Sequence, residues 1–357
     1  MAACLICRAA ASNPFQTSNH GSPSTLHSDF RRKSSTNSSS SFSSPEPSPP
    51  RNVSEIRDHA FHPSSRLRGT TCMITGGSSG IGFAIAQRFL REGAGKIILV
   101  GRSKERLIEA WERLRAEYES ATLSSEERIA GGEPLSLSVS DNYEILDSGP
   151  FRLVVGDVGD PLFWSEEVKK TMDNVDILIN AAGISRSALL PMAKDEHIAQ
   201  VIRTNLQGTI FACRAMTRRA LQKRRKSTPR SASNTDDVVP TKCIINISSL
   251  HAIKGGIGAS TYASTKAGVI ALTRAIAAEG SLSASGAAVR ANVIVPGYID
   301  TKMLDEFSDS FRAEAERSVP LRRFGTCEEV ADAAAFLATN QYANNCVLNL
   351  DGGLSAM

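Results

Sequence analysis

The chain holds no apolar run near the ~18–20 residues needed to cross a bilayer, so no transmembrane segment is expected. It also lacks a strong charge of either sign. Its 41 Lys and Arg against 37 Asp and Glu leave a net charge of +4, which gives no electrostatic footprint for nucleic acid. The seven cysteines (Cys4, Cys7, Cys72, Cys213, Cys243, Cys327 and Cys346) show neither disulfide nor zinc spacing. Cys4 and Cys7 spell CxxC, but no His or second pair completes a site, so no metal is expected. Scattered thiols of this kind fit a reducing compartment.

Acid is missing from the N-terminal stretch, where none occurs before Asp29, whereas Arg8 and Arg31-Arg32-Lys33 supply positive charge. Residues 1–66 are rich in Ser, Pro and Asn and have little apolar periodicity, so they cannot bury enough surface to offset the entropy of ordering. Basic, Ser-rich and acid-poor composition reads as an organellar transit peptide on a disordered leader. The mitochondrial matrix is the first expectation for its destination, with a plastid or the cytosol as alternatives.

Residues 67–357 have a different texture. Short β-branched runs at 70–75, 96–100, 152–156, 175–180, 242–248, 290–295 and 347–350 are apolar almost throughout, as strands buried on both faces should be. Amphipathic segments at 81–92, 104–119, 195–219, 262–279 and 327–338 alternate with them. The expected fold is α/β, a single doubly wound Rossmann-type domain with a parallel seven-stranded sheet and helices on both faces. Two stretches break the rhythm, near 120–150 and 222–241, and read as surface insertions.

Two stretches carry chemistry. In Thr75-Gly76-Gly77-Ser78-Ser79-Gly80-Ile81-Gly82, a glycine loop stands between the first strand and the first helix. Gly76, Gly80 and Gly82 would let the backbone approach a pyrophosphate at the helix N-terminus. The second strand ends in Leu99-Val100-Gly101-Arg102-Ser103. An acid there would bind the ribose diol of NAD; Arg102 instead suits a 2′-phosphate, which makes NADP(H) the expected cofactor. Downstream, Ser248 and Ser249 follow a strand, and Tyr262 and Lys266 stand four apart. On a helix that spacing puts phenol and ammonium on one face. A fixed cation beside a Tyr would lower its pKa toward a useful range. Asn205 lies among Ile202, Leu206 and Ile210, an unusual place for a residue that helices disfavour.

Together these residues resemble the short-chain dehydrogenase/reductase family over about residues 69–353. The glycine loop resembles its TGxxxGxG, Asn180-Ala181-Ala182-Gly183 its NNAG, Tyr262 to Lys266 its YxxxK, and Pro296-Gly297 with Thr301 its PGxxxT. Asp157-Val158 matches the pair that holds adenine. The resemblance implies that Tyr262 is the proton donor, Ser249 polarises the carbonyl, Lys266 binds the nicotinamide ribose, and Asn205 holds a relay water. It further implies that Thr301 contacts the carboxamide and that Asn180 ties neighbouring strands. Val319-Pro320-Leu321-Arg322-Arg323-Phe324-Gly325, Glu328-Glu329-Val330-Ala331 and Leu350-Asp351-Gly352-Gly353 look like the 3-oxoacyl-acyl-carrier-protein reductases of fatty-acid synthesis.

The implied activity is NADPH-dependent reduction of a 3-oxoacyl thioester on acyl carrier protein. Reduction of a small ketone, alcohol or quinone is the alternative, and a catalytically silent nucleotide-binding scaffold is an alternative of another class. Acyl carrier proteins are acidic, and the basic run of Arg218, Arg219, Lys223, Arg224, Arg225, Lys226 and Arg230 is the candidate docking face. By family, the chain would form a homotetramer or pair with a related subunit.

Overall fold

The computed structural model describes residues 66–122, 136–226, 241–280, 289–304 and 308–357. The chain divides into two units, 1–58 and 59–357, and every described residue belongs to the second. The expected leader therefore lies almost wholly outside the described residues.

Each of the seven expected strands forms. These are β1 (Thr71–Thr75), β2 (Lys96–Gly101), β5 (Phe151–Val155), β6 (Ile177–Asn180), β7 (Lys242–Ile247), β8 (Val289–Pro296) and β9 (Val347–Leu350). They pair in parallel in the order β5-β2-β1-β6-β7-β8-β9. All of β6 and β8 is buried, which is why their sequences are apolar without alternation.

The sheet does not stop at β5. The stretch read as a surface insertion near 120–150 contributes β3 (Ser136–Ser140) and β4 (Tyr143–Ser148), an antiparallel hairpin whose second strand pairs antiparallel with β5. The sheet thus has nine strands and is mixed, instead of seven and parallel. β4 has a physical reason to join, since it buries Tyr143, Ile145 and Leu146. β3 is exposed along its whole length and alternates Ser with Leu137 and Val139, so its composition resembles a linker.

Helices α1 (Gly80–Arg91), α2 (Lys104–Thr122) and α8 (Cys327–Thr339) cover one face of the sheet. Phe83, Ile85 and Phe89 of α1 are buried there, each worth about 2 kcal/mol of apolar burial. Helices α3 (Glu166–Thr171), α5 (Gly208–Lys226) and α6 (Ser260–Gly280) cover the other face. Two shorter helices, α4 (Asp195–Ile202) and α7 (Asp309–Ser318), flank the carboxyl ends of the strands.

One helix differs from expectation in a way that matters for the site. The continuous helix expected over 195–219 is broken by a π turn at Arg203–Gln207, which links α4 to α5 and buries Thr204 and Asn205. A single π turn inside a helix admits an extra residue and re-aims its side chains. Helix α5 then continues past 219 to Lys226, into the second stretch read as an insertion; residues 227–240 lie outside the described residues.

Candidate active site

The parallel strands point their carboxyl ends at one edge, where the glycine loop, the loop after β6 and the start of α6 meet. The glycine loop fits a pyrophosphate. Gly76 has φ +70°, and a Cβ there would lie 2.7 Å from the Ala182 backbone nitrogen. At Gly82 a Cβ would lie 2.4 Å from the Gly76 carbonyl, so both positions exclude any side chain. No acid occupies the first turn of α1, which leaves its N-terminus free for an anion. Ser78 and Ser79 are half-buried in the turn, and Ile81 packs its side chain on the core. Thr75 is buried: its hydroxyl accepts from Ala182 N at 3.3 Å, and its carbonyl accepts from Ala181 N at 3.1 Å. Thr301 approaches from the loop after β8, its methyl 3.6 Å from where a Gly80 Cβ would stand. The structure thus brings Thr301 and the glycine loop together. Gly297, just after Pro296, is packed instead against Asp351 of the C-terminal turn.

Asp157 and Val158 follow β5. The Asp157 carboxylate accepts from Gly159 N at 2.9 Å and pairs with Arg203 of the π turn at 3.2 Å. Val158 is buried beneath Gly208. Arg102 is exposed at the end of β2. The donor set, namely a glycine turn at a helix N-terminus, a basic β2 end and an Asp after β5, fits a nicotinamide dinucleotide.

The reacting end is built by α6. Tyr262 and Lys266 share its inner face, with the Lys266 Nζ 5.7 Å from the Tyr262 ring centroid. Ser249, at the end of β7, hydrogen-bonds the Tyr262 phenol. Ser248 does not compete with it, because its buried hydroxyl donates to the Lys266 carbonyl at 2.8 Å. Alternation along the strand end thus gives one serine to the scaffold and the other to the cleft.

Burial pushes the Tyr262 phenol up, and the Ser249 hydrogen bond opposes this only in part. The Lys266 charge is not among the causes of this shift. The ammonium is directed elsewhere, donating to the Ile247 carbonyl at 2.9 Å. Its own burial lowers Lys266 to about 8. The result is a phenol that keeps its proton at neutral pH, the state an acid needs.

Asn205 is fully buried, and its amide makes three hydrogen bonds. Oδ1 accepts from Ile184 N at 2.8 Å, while Nδ2 donates to Ile184 O at 2.9 Å and to Thr265 Oγ1 at 3.3 Å. It clasps the loop after β6 to α6. Gly183 lies between Asn205 and Lys266; a Cβ there would come within 3.4 Å of Nζ and 3.5 Å of Asn205 Oδ1. Asn180 donates to Asn246 Oδ1 at 2.8 Å across β6 and β7, tying the strands as expected.

Three residues at this edge escape a sequence reading. Arg106 of α2 reaches the glycine loop, donating to Ser79 Oγ at 2.9 Å. Arg203 holds Asp157. His251 packs edge-on against Tyr262, with centroids 6.2 Å apart, and donates its backbone N–H to Ser249 Oγ at 3.3 Å. Arg106 stands four residues after Arg102 and His251 two after Ser249, and those spacings are the only sequence signals for them.

The basic run behaves otherwise. Helix α5 begins beside Val158, at the carboxyl end of β5, and carries the backbone of Lys223–Lys226 about 22–27 Å along its axis from there. The side chains of Arg219 and 221–226 and residues 227–230 lie outside the described residues. Among the described residues no cluster of potential metal ligands occurs, and no helix is long and apolar enough to cross a membrane.

Known proteins share this arrangement. A family described as "Enoyl-(Acyl carrier protein) reductase" matches residues 143–355, and one described as "short chain dehydrogenase" matches residues 70–127. The 3-oxoacyl-[acyl-carrier-protein] reductase FabG of Thermotoga maritima is 33% identical over 291 residues, covering 81% of this chain and 99% of the relative. The 3-oxoacyl-[acyl-carrier-protein] reductase of Rattus norvegicus is 31% identical, covering 79% and 97%. A solved structure of a putative 2-deoxy-D-gluconate 3-dehydrogenase from Agrobacterium tumefaciens, with bound NADP, is 27% identical with a TM-score of 0.61, covering 82% and 98%. With family matches across both halves of the domain and relatives aligned nearly end to end, the chain belongs to the short-chain dehydrogenase/reductase family.

Proposed function

We propose that the chain reduces a 3-oxoacyl thioester borne by acyl carrier protein to the 3-hydroxyacyl thioester, with NADPH as the reductant. Family membership makes it an oxidoreductase acting between CH–OH and C=O groups. The mouth of the site carries the finer reading. Ala188 N donates to the Gly258 carbonyl at 3.0 Å, joining the loop after β6 to the loop after β7. On these tied loops Leu189, Leu190, Met192, Ile253 and Ile257 are all exposed. A sugar acid needs walls that hydrogen-bond its hydroxyls, whereas an acyl chain gains from apolar surface of this kind. The likeness to two 3-oxoacyl-carrier reductases, at 33% and 31% identity, supports the same choice. The carrier's acidic surface would meet the basic run Arg218–Arg230, while its acyl chain would lie along this apolar rim. The basic, acid-poor leader supports an organellar location for such a pathway.

The residues divide the work as follows. The glycine loop and the α1 N-terminus would hold the pyrophosphate, Arg102 the 2′-phosphate, Asp157 the adenine, and Lys266 the ribose beside the reacting ring. Bound NADPH supplies the hydride that the carbonyl carbon receives. Ser249 donates a hydrogen bond to the carbonyl oxygen, and Tyr262 delivers its phenolic proton there as negative charge builds. Asn205 is a positioning residue, since its amide is spent on Ile184 and Thr265.

NADPH oxidation by residues 59–357 should be faster with acetoacetyl-acyl carrier protein than with acetoacetyl-CoA, and absent with 2-deoxy-D-gluconate products. Turnover of only a free ketone or quinone would move the function to that smaller substrate. The pH profile gives a second check. Lys266, lowered to about 8, is charged below that pH and loses its proton as pH rises through it. Tyr262, raised, keeps its proton beyond that point. The reduction rate is therefore expected to fall above about pH 8, where the Lys266 ammonium that would hold the nicotinamide ribose loses one of its donor protons. A rate that stays flat to pH 10 would show that the Lys266 charge is not used.

A further inference from the structure

We infer that Arg106 reads the 2′-phosphate of the cofactor, reaching the glycine loop from α2 because the loop has no basic residue of its own. The inference rests on the NADPH reading and assigns a specificity residue to it. Ser78 and Ser79 stand in the turn, and neither carries charge. Ser79 is the N-cap of α1, in extended geometry, yet its hydroxyl caps no backbone N–H. It instead accepts from the Arg106 Nη2 at 2.9 Å. This bond spans from α2 to α1 and holds an exposed guanidinium against the one turn that a phosphate-bearing ribose must pass.

The neighbouring charges leave few other candidates. Lys104 is paired with Glu144 of the hairpin at 2.6 Å. Arg113 lies over the Phe83 ring at 4.1 Å, and Arg115 pairs with Glu119 at 2.6 Å. Glu105, one residue before Arg106, accepts from the Ser103 hydroxyl at 2.8 Å. Arg102 and Arg106 remain, four residues apart, one at the β2 end and one in the first turns of α2. A guanidinium presents five N–H donors, so the bond to Ser79 leaves most of the Arg106 fork for phosphate oxygens. Arg102 alone would contact one side of a 2′-phosphate; with Arg106 and the Ser79 hydroxyl, the anion is held from two elements.

The test is direct binding to the full chain, which requires no substrate. NADPH, NADH and the fragment 2′,5′-ADP are titrated against the native chain, Arg106→Ala and Arg106→Lys. Loss of a charge-assisted contact at an exposed site should weaken NADPH and 2′,5′-ADP by about tenfold in Arg106→Ala. NADH should stay within about twofold, because it lacks the phosphate. Arg106→Lys should recover part of the loss, since it keeps the charge without the fork. Equal weakening of NADPH and NADH would reduce Arg106 to a support for the loop, and unchanged NADPH binding would remove it from the site. If the native chain itself bound NADPH no better than NADH, the NADPH reading would fail first and take this inference with it.

Discussion

Replacing Tyr262 with Phe is expected to lower turnover by about 10²–10⁴-fold while leaving the NADPH dissociation constant nearly unchanged. The expectation follows from where the hydroxyl sits. The ring is fixed by α6, by His251 at its edge and by the Lys266 side chain, none of which needs the oxygen. The hydroxyl is the group bonded to Ser249 and held protonated by burial. Removing it deletes the proton donor and leaves the packing. Ser249→Ala should show the same pattern to a smaller degree. Ser248→Ala should differ in kind, because its hydroxyl secures the Lys266 carbonyl and its loss would appear in stability before rate. Stopped-flow rates with fluorescence titration of NADPH separate these cases. A Tyr262→Phe variant that turns over normally would refute the assigned chemistry, and one that also loses NADPH would make Tyr262 a cofactor contact.

Much of this was legible before any coordinates, for reasons that particular residues make plain. Buried parallel strands cannot alternate, so runs such as Cys243-Ile244-Ile245 announce themselves. The glycine loop is legible because only Gly tolerates the backbone contacts at Gly76 and Gly82. The hairpin β3–β4 is not, because β3 has a serine face and no buried partner. The π turn is hidden as well. Nothing in Arg203-Thr204-Asn205-Leu206-Gln207 breaks a helix by composition; the turn exists because Asn205 is fastened to Ile184 and Thr265, while Gln207 donates to the Gly159 carbonyl at 2.9 Å. Arg106 is of the same kind. Its sequence context is an ordinary exposed helix face, and its meaning comes from a contact 27 residues away in the chain.

The largest effect on stability should come from Arg290, which takes no part in the chemistry proposed above. This arginine of β8 is 2% exposed. Charge buried so deeply is normally matched by a carboxylate, yet none pairs with it among the described residues. Its partners are carbonyls: Nη1 donates to Leu337 O at 3.0 Å and to Ala343 O at 2.7 Å, and Nη2 donates to Ala338 O at 2.9 Å. Nε donates to Thr241 Oγ1 at 2.9 Å. Leu337 and Ala338 lie in the last turn of α8, which has no basic residue of its own. Arg290 thus supplies from a strand the cation that the negative end of that helix lacks. Arg290→Met keeps much of the volume but takes the guanidinium from three carbonyls; Ala343 O keeps Asn292 Nδ2 at 2.9 Å and Leu337 O the weak donor Cys243 Sγ at 3.7 Å, while Ala338 O loses its Nη2 bond. The loss should be about 2–4 kcal/mol, or roughly 4–16 °C in Tm for a domain of this size. Arg290→Lys should fall between, because a compact ammonium cannot reach carbonyls on both the helix end and the following turn. Thermal denaturation followed by circular dichroism measures this, and hydrogen exchange should show protection lost first at 337–343. A Tm within 2 °C of native for Arg290→Met would mean that water satisfies those carbonyls as well as the guanidinium does.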